Sequence, residues 1–424
     1  MLLRLVFLAA VALSGFQLWQ GVTGGMPATY LRPVHIAWVL ALIFLRYPLV
    51  KEARSSPYRW GRAADILLAC ASLYCGYVVT TFDYKSIEHI LYGLRPSDLV
   101  AGTLFVCLVL EATRRSVGWS MAAVGLIFIL YAAFGNLLPE TLANRGFSLE
   151  RIIRFQVFTA AGLFGTPLGI AAGTVFIFIL FGAFLEVTGA GRFFIDLAFA
   201  AAGKYPGGPA KASVIASAAM GSISGSAIAN TVTTGALTIP MMKKLGYKAT
   251  QAAGIEAAAS TGGQIMPPIM GAGAFIMAEF TDRPYNNIVL ISVAPAVLYF
   301  LSTLLYVHIM ACKQGLRGME KRPPVWTTVK DGIHFILPLF VVTTLLLLNY
   351  SPPLVGAVGC LAVVLTSLFR PHTRVSATGL LKGLKAGAVM ALPISVACAT
   401  AGVVVGVIGQ TGIGLQFTDF VLSL

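Results

Sequence analysis

A stretch of small and hydroxyl-bearing residues near the middle of the chain has the composition of an ion site. Residues 221–235 read GSISGSAIANTVTTG and include the hydroxyls of Ser222, Ser224 and Ser226 and the amide of Asn230. Neutral oxygen atoms of these kinds suit a hard cation such as sodium, and a helix N-terminus beside them favours an anion such as a carboxylate. Close packing between helices explains the serines about equally well when the stretch is taken alone.

A second polar stretch interrupts the next apolar segment. Residues 260–273 read STGGQIMPPIMGAG. Pro267 and Pro268 have no backbone N–H, and the pair Gly262–Gly263 adds conformational freedom, so we expect the helix to unwind here. The carbonyl oxygens freed by the break would add ligands to the same site. A kink without a site is the alternative.

Glu256 lies about one turn before this break, in an apolar segment where an unpaired charge is costly. Either it binds a proton or an ion, or it accepts hydrogen bonds from the neighbouring backbone, and the sequence leaves both roles open. Glu186 and Glu279 lie near the ends of apolar segments and are interpreted as interfacial. Glu111 is followed by two arginines, which is typical of a charge at a helix end.

The composition requires that these residues lie in a membrane. Hydrophobic residues make up 57% of the 424 positions and charged residues 11%, whereas soluble domains have about 25% charged residues. Apolar runs of about 20 residues, enough to cross the bilayer as a helix, recur along the chain. The chain is therefore predicted to be an all-α polytopic membrane protein.

The remaining composition excludes several function classes. The formal charge of +14 comes from 30 Lys and Arg residues scattered in short loops, so we expect no nucleic-acid partner. The six cysteines and five histidines are dispersed, which predicts neither a disulfide framework nor a metal site. No phosphate-binding loop, HExxH or GxSxG motif occurs. The chain is therefore not predicted to be an enzyme, and transport would be driven by an ion gradient.

The apolar runs predict eleven spans, and the basic residues orient them. The spans are 3–22, 34–50, 64–82, 98–112, 117–135, 168–187, 249–280, 286–312, 333–350, 353–369 and 386–409. The run 3–22 is interpreted as the first span because no cleavage pattern of a signal peptide ends it. With a cytoplasmic N-terminus, the inside loops carry 21 of the 30 Lys and Arg residues and the opposite loops seven. This asymmetry has the sign of the positive-inside rule.

The orientation holds only if residues 212–240 do not cross the membrane. Basic residues flank the stretch on both sides, and 17 of the 24 residues in 212–235 are Ala, Gly, Ser or Thr. Small residues let backbones pack closely, and hydroxyls can bond the groups freed at a turn inside the membrane. We therefore predict a re-entrant helical hairpin. A small-residue helix that simply spans is the alternative, and it would invert every later loop.

A short repeat supports a transporter. The sequence TGAGRFFID at 188–196 recurs 223 residues later as TGIGLQFTD at 411–419, with five of nine positions identical. In the predicted topology the two copies lie on opposite sides, as in inverted repeats, whose transport sites lie at the repeat interface. Leu424 aligns with Ala201, just before the hairpin. We therefore expect the partner hairpin to be missing and the chain to be a truncated form of a longer protein.

Three strings resemble a known family. GSISGSAIANTVTTGALTIPMMKKLGY, EAAASTGGQIMPPIMGAGAF and the opening VHIAWVLALIFLRYP, with the first spans, resemble the fused membrane subunit of tripartite ATP-independent periplasmic (TRAP) transporters of the TAXI type. The likeness covers essentially the whole chain. It implies an elevator-type inverted-repeat fold with about 11 transmembrane helices plus one re-entrant hairpin, the second repeat being incomplete.

The resemblance also implies a division of the chain. The predicted parts are a small four-helix part at 1–116, a connecting helix and loop at 117–145, and a large permease part at 146–424, itself made of a first repeat at 146–312, linking helices at 313–385 and the start of a second repeat at 386–424.

The function implied by the resemblance is sodium-coupled uptake of an organic acid across the bacterial inner membrane. A periplasmic solute-binding protein of the TAXI type would deliver the carboxylate solute, and sodium ions would be the coupling ions, with no other cofactor. The implied sodium ligands are Ser222, Ser226, Asn230, Gly262, Gly263 and Pro267. We expect the adjacent polar groups to line the substrate cavity, namely Ser224, Thr231, Thr234, Thr261, Gln264 and Glu256.

Two other classes compete with this interpretation. A passive channel or a structural membrane subunit would need no coupling ion, and an intramembrane enzyme would need a polar catalytic pair, for which Glu256 has no evident partner. The end of the chain at Leu424 removes the second hairpin that the resemblance implies, so activity of this exact chain alone is in doubt.

Overall fold

The computed structural model describes residues 2–49, 59–84, 93–139, 143–319, 323–371 and 373–422, and every regular element in these ranges is helical. This confirms the predicted all-α class. The chain forms two compact units, one made of Met1–Phe176 with Ala388–Leu424 and the other of Ile177–Gly387. The hairpin and the broken helix both belong to the second unit.

The helices follow the apolar runs closely. In chain order they are α1 (Leu2–Thr23), α2 (Ala28–Arg46), α3 (Arg59–Thr80), α4 (Pro96–Ser116), α5 (Trp119–Phe134), α6 (Leu149–Val157), α7 (Thr166–Thr188), α8 (Ala190–Ala202), α9 (Gly208–Ser224), α10 (Ala227–Lys244), α11 (Ala249–Gly262), α12 (Ala272–Phe280), α13 (Tyr285–Lys313), α14 (Val325–Leu347), α15 (Pro352–Ser367), α16 (Ala377–Thr411) and α17 (Ile413–Leu422).

Within the described ranges, nine helices are long and apolar enough to cross a membrane, and α15 is a shorter apolar helix. These ten correspond to ten of the eleven predicted spans. The remaining one, 249–280, is divided into α11 and α12 by a non-helical segment. The polytopic character is confirmed, whereas the count of eleven stays a prediction.

The predicted hairpin is present as two helices joined at Gly225 and Ser226. Helix α9 ends where Gly225 adopts a left-handed conformation with φ of 57°, and α10 begins directly after Ser226. The arms are antiparallel, because Asn230 Nδ2 donates to the carbonyl of Ser217 at 2.8 Å and these residues lie at similar distances from the turn. Neither arm is among the nine candidate spans. The re-entrant placement of the hairpin stays a prediction.

Both copies of the repeat have the same local structure. Thr188 ends α7 and Thr411 ends α16, and the hydroxyl of each donates to a carbonyl one turn earlier. The following glycines, Gly189 and Gly412, have φ of 96° and 75°, a region that favours glycine because it lacks a Cβ atom. Each copy then opens a helix. The repeat therefore encodes a helix end, a left-handed turn and a new helix.

Charged residues at one end of the first unit pair with one another. The guanidinium of Arg115 donates to Asp65 Oδ1 at 2.6 Å and to Glu111 Oε1 at 2.7 Å. The Arg115 side chain is only 3% exposed and that of Asp65 8%, so their separation from water is offset by bonded opposite charge. The prediction that Glu111 pairs at a helix end is consistent with this arrangement, which joins α3 to α4.

A polar chain crosses the apolar interior of the first unit. The ring of His35 lies 2.6 Å from Gln17 Nε2 through Nδ1 and 3.0 Å from Ser395 Oγ through Nε2. All three residues are buried. The contacts connect α1, α2 and α16 in a region where few other polar groups occur, and they fix the relative rotation of these helices.

Several predicted segments lie partly outside the described residues. They are positions 51–58 of the loop 51–62, positions 140–142 of the connector 117–145, positions 320–322 of the loop 313–330, position 372 of the loop 370–385, and Leu424. All six cysteines lie in described ranges and are free thiols, as the dispersed spacing predicted.

Gly225 provides a test of the hairpin turn. A Cβ atom at this position would lie 1.8 Å from the carbonyl oxygen of Met270, and a left-handed conformation alone costs a non-glycine residue roughly 1–2 kcal/mol. We expect Gly225→Ala to lower the midpoint of thermal unfolding in detergent. Gly254→Ala is the matched control, because Gly254 is helical and nothing lies within 4 Å of an added Cβ. Equal midpoints for both variants would contradict the described turn.

Candidate ion and solute site

The hairpin tip combines the end of one helix with the start of another. The Gly225 amide donates to the Gly221 carbonyl at 3.0 Å and closes α9. Ser226 has extended backbone angles, and its hydroxyl oxygen accepts from the Ala229 amide at 3.3 Å, which makes it the N-cap of α10. The tip therefore presents the negative end of one helix dipole next to the positive end of another.

The predicted unwinding of the next helix is confirmed. Helix α11 ends at Gly262, a short 3-10 turn covers Gly263–Ile265, and regular helix resumes only at Ala272. The loop is closed by a bond of 2.7 Å from the Gly271 amide to the Gln264 carbonyl. The proline pair falls in this loop, where its missing N–H groups leave no helical bond unmade.

Part of the freed backbone is bonded by a tyrosine from α13. The hydroxyl of Tyr285 lies 2.6 Å from the carbonyl oxygen of Ile269 and 3.1 Å from that of Pro268. The ring of Tyr285 stacks on Phe275 of α12, with centroids 4.2 Å apart. The break is therefore held in one shape by neighbouring helices, which a loop inside a membrane requires.

The tip and the break pack directly against each other. A Cβ atom on Gly221 would lie 2.2 Å from the Cα of Gly263, and one on Gly263 would lie 3.0 Å from Asn230 Nδ2. These positions accept only glycine without a shift of backbone. The structure thus brings together three of the predicted ligand regions: the end of α9, the start of α10 and the Gly262–Gly263 segment.

The hairpin residues predicted as sodium ligands have oxygen atoms with unused acceptor capacity. Ser222 is half-buried and its hydroxyl donates to the Ala219 carbonyl at 2.7 Å, so its hydrogen is directed away and its lone pairs stay available. Asn230 is fully buried. Its Nδ2 donates to Ser217, and its Oδ1 has one long contact of 3.5 Å with the Thr234 hydroxyl.

On the broken helix, Gly262 and Gly263 are buried and Pro267 is half-buried. The Gly263 carbonyl accepts the Met266 amide at 3.4 Å, which is a long bond. Carbonyl oxygen atoms near a break of this kind can serve as ligands because the regular helical bonds that would occupy them are missing. The sodium assignment of all six residues stays a prediction.

The residues predicted to line the substrate cavity fall into two groups by burial. Gln264 and Thr261 are exposed, and Ser224 and Thr231 are half-buried. The hydroxyls of these three donate to carbonyls of their own helices, with distances of 3.3 Å for Ser224, 2.9 Å for Thr231 and 2.7 Å for Thr261. They leave oxygen lone pairs accessible. The other two residues, Thr234 and Glu256, are fully buried and contact each other.

The Glu256 carboxylate accepts hydrogen bonds from side-chain hydroxyls. Ser213 donates to Oε2 at 2.6 Å and Thr238 to the same atom at 2.5 Å. Thr234 donates to Oε1, and Ser260 does so at 3.3 Å. Of the two roles left open by the sequence, hydrogen bonding to the hairpin is present, but through side chains instead of backbone.

Sequence reasoning missed Ser213, Thr238 and Ser260. A signal for the first two exists in the sequence, because Ser213 and Thr238 lie 12 and 13 residues from Gly225 on opposite arms. Antiparallel arms place residues at equal distances from the turn at the same depth. Ser260 lies four residues after Glu256 and therefore on the same face of α11.

The described residues hold no group of three or more His, Cys, Asp or Glu side chains placed to bind a metal ion. The predicted ligand set consists of serine, asparagine, glycine and proline, which supply neutral oxygen atoms only. Such ligands suit a weakly bound alkali cation, whereas a transition metal prefers imidazole or thiolate.

Comparison with known proteins assigns the chain to a family. Residues 104–424 match the family described as "Tripartite ATP-independent periplasmic transporter, DctM component". The match includes the hairpin, the broken helix and both copies of the repeat, and it extends over well more than half of the chain.

Individual relatives are all more distant than the family match suggests. The large permease protein of the 2,3-diketo-L-gulonate TRAP transporter of Escherichia coli is 26% identical over 201 residues, which are 46% of this chain and 47% of the relative. The large permease protein of the C4-dicarboxylate TRAP transporter of Pseudomonas aeruginosa is 31% identical over 144 residues, 34% of this chain and 33% of the relative.

A longer alignment joins the chain to the isethionate TRAP transporter permease protein of Oleidesulfovibrio alaskensis, with 30% identity over 296 residues, 65% of this chain and 42% of the relative. The chain thus spans about half the length, or less, of the curated relatives it matches. The matched region, the helical composition and the candidate spans agree. The chain belongs to the family of tripartite ATP-independent periplasmic transporters, as a large permease of the DctM type.

Proposed function

We propose that this chain forms membrane-embedded transport machinery that couples the entry of sodium to the import of a carboxylate solute delivered by a periplasmic binding protein. The observation that carries the proposal is the packing of the hairpin tip against the helix break, with Gly221 against Gly263. Two interrupted helices that meet in this way offer carbonyls, hydroxyls and an amide at one place, as the midplane sites of secondary transporters do.

Sodium is the proposed coupling ion because the ligand set is neutral and rich in oxygen. Ser222, Ser226 and Asn230 supply the hairpin side, and Gly262, Gly263 and Pro267 supply the carbonyl side. A proton would need a titratable ligand, and the carboxylate nearest to the site, Glu256, has its acceptor positions taken by four hydroxyls. The geometry therefore favours a metal cation over a proton.

The solute is proposed to be an organic acid. Diketogulonate, C4-dicarboxylates and isethionate, which name the transporters of the relatives, are all organic anions. Helices α10 and α12 both begin near the tip and the break, and helix N-termini favour negative charge. The accessible polar groups of Ser224, Thr231, Thr261 and Gln264 would contact the solute.

The fused arrangement and the TAXI type belong to this proposal as well. Helices α1, α2 and α3 lie entirely before the start of the family match at residue 104, which fits a small four-helix part joined in one chain to the large permease. We further propose a bacterial inner-membrane location with a cytoplasmic N-terminus, a TAXI-type binding protein as partner, and elevator-like movement of the unit that bears the hairpin.

Uptake into proteoliposomes tests the coupling ion. We expect uptake by the complete transporter to require both a sodium gradient and the binding protein. Asn230→Ala should raise the sodium concentration for half-maximal uptake at least about tenfold, because losing a polar partner of a charged group costs about 1.5–3 kcal/mol. Ser226→Ala should do the same, with some loss of thermal stability because Ser226 also caps α10.

Ser302→Ala is the control for the sodium experiment. Ser302 is exposed on α13, and its hydroxyl donates to the carbonyl of Tyr299 at 2.8 Å, as Ser222 does to its own helix. This variant should keep the wild-type sodium dependence. Passive solute flux that does not respond to sodium would instead support a channel, and an unchanged sodium response in both site variants would remove the ligand assignment.

Thiol labelling tests the re-entrant hairpin. Lys204 and Lys248 flank the hairpin and are exposed, and Arg283 is exposed between α12 and α13. In a background without native cysteines, we expect a reagent confined to the periplasm to label Arg283→Cys but neither Lys204→Cys nor Lys248→Cys. Labelling of one hairpin flank and not the other would show that the segment crosses the membrane.

A further inference from the structure

We propose that Glu256 is a positioning residue that fastens both arms of the hairpin to α11, so that the hairpin tip and the helix break keep one geometry and move as one body. The carboxylate lies about one and a half turns before the end of α11 and is fully buried. Its contacts reach three helices. The part of the proposal that concerns sodium rests on the proposed function, whereas the fastening does not.

The second arm is shaped to approach this carboxylate. Gly235 lies opposite Glu256, and a Cβ atom on Gly235 would lie 3.0 Å from Glu256 Cγ. A larger residue would separate α10 from α11 and pull the threonines on either side away from the carboxylate. Thr234 precedes this glycine and Thr238 follows it by less than one turn, and both donate to Glu256. The glycine thus permits the bonds that its neighbours make.

The first arm is held by the same group. Ser213 of α9 donates to Oε2 at 2.6 Å, the atom that Thr238 of α10 also contacts. One oxygen atom therefore joins the two arms to each other and both to α11. Ser260 adds the fourth donor from α11 itself. A carboxylate can accept about four hydrogen bonds, so its acceptor capacity is filled.

Charge makes these bonds stronger than bonds between neutral groups. Among the described residues, no Lys, Arg or His side chain forms an ion pair with Glu256, so the hydroxyls are the groups that stabilise its charge. Hydrogen bonds to an ionised acceptor are roughly twice as strong as neutral ones, and the cost of an unsatisfied charge in a membrane protein is high. Separation of either arm would leave the carboxylate short of donors.

The fastening extends to the predicted ion ligand. Thr234 lies one turn after Asn230, so the bond from Thr234 to Glu256 sets the rotation of the second arm and with it the direction of the Asn230 amide. That amide lies beside Gly263 and donates to Ser217 of the first arm. The carboxylate therefore positions a ligand that it does not touch.

Two donors have alternative acceptors, which makes a clean test variant available. The Thr234 hydroxyl lies 2.8 Å from the Asn230 carbonyl, and the Thr238 hydroxyl lies 3.0 Å from the Thr234 carbonyl. Each hydroxyl has one hydrogen. In Glu256→Gln both can turn to their own helix, so the variant is expected to fold while the arms lose their fastening.

A double-mutant cycle in the purified protein measures the fastening without any transport assay. We expect Glu256→Gln and Thr238→Val each to lower the unfolding midpoint, and the double variant to lower it by clearly less than the sum. Glu279→Gln removes an exposed carboxylate of the same unit and should combine additively with Thr238→Val. Additive behaviour of Glu256→Gln with both Thr238→Val and Ser213→Ala would overturn the proposal.

Hydrogen–deuterium exchange keeps the proposal testable if a variant has a low yield. Glu256→Gln should increase exchange of the amides in 208–244 by at least severalfold, with little change in α13, and Glu279→Gln should change neither. Exchange in the hairpin that equals the wild-type rate would overturn the proposal, because a released hairpin must open more often.

Uptake distinguishes positioning from simple stabilisation. In the complete transporter with its binding protein, Glu256→Gln should raise the half-saturating sodium concentration severalfold while the maximal rate per folded protein changes less. If wild-type uptake needs sodium and the variant has an unchanged sodium response, positioning of the ligand is refuted and the proposed function stands. If wild-type uptake ignores sodium, the proposed function fails, and the cycle and exchange data decide the fastening alone.

Discussion

Satisfaction of backbone polar groups inside a membrane is the constraint on which the second unit depends. A helix turn at Gly225 and a helix break after Gly262 both free carbonyls and amides, which lipid cannot bond. Each interruption is covered by the other, with Gly221 against Gly263 and Gly225 against Met270. Only glycines permit so close an approach. The small-residue composition of the hairpin is therefore a requirement of its position, and the concentration of polar groups at one place follows from it.

Much of this arrangement could be predicted from the sequence because the signals are local. The proline pair and the Gly262–Gly263 pair predicted the break, and the repeated TG-G motif marked two helix ends that have the same structure. The partners of Glu256 could not be predicted in the same way, because they depend on which faces of three helices meet. Thr234 was grouped with the cavity residues on polarity alone, and the structure places it fully buried against Glu256.

Two kinds of polar group in the second unit have different roles. The hydroxyls of Ser222, Thr231 and Thr261 donate to their own helices and keep their lone pairs free, as a cation or solute site needs. The hydroxyls around Glu256 donate to a carboxylate and are fully enclosed. The difference lies in the acceptor that each hydroxyl uses and not in residue type, which is why composition alone could not separate a ligand from a fastening.

The separation of these two sets of groups offers a physical route to coupling. Because the carboxylate is saturated by hydroxyls and the proposed ligands are neutral, a bound sodium ion would be the main new charge near the tip. An anionic solute about 4 Å from it would be attracted by roughly 4 kcal/mol at an effective dielectric constant of about 20, close to three orders of magnitude in affinity. A solute carboxylate would then bind well only after sodium, and a site without its own charge would enforce that order better than one with a fixed lysine or arginine. The neutrality of the ligand set is thus the property that makes the solute depend on the ion.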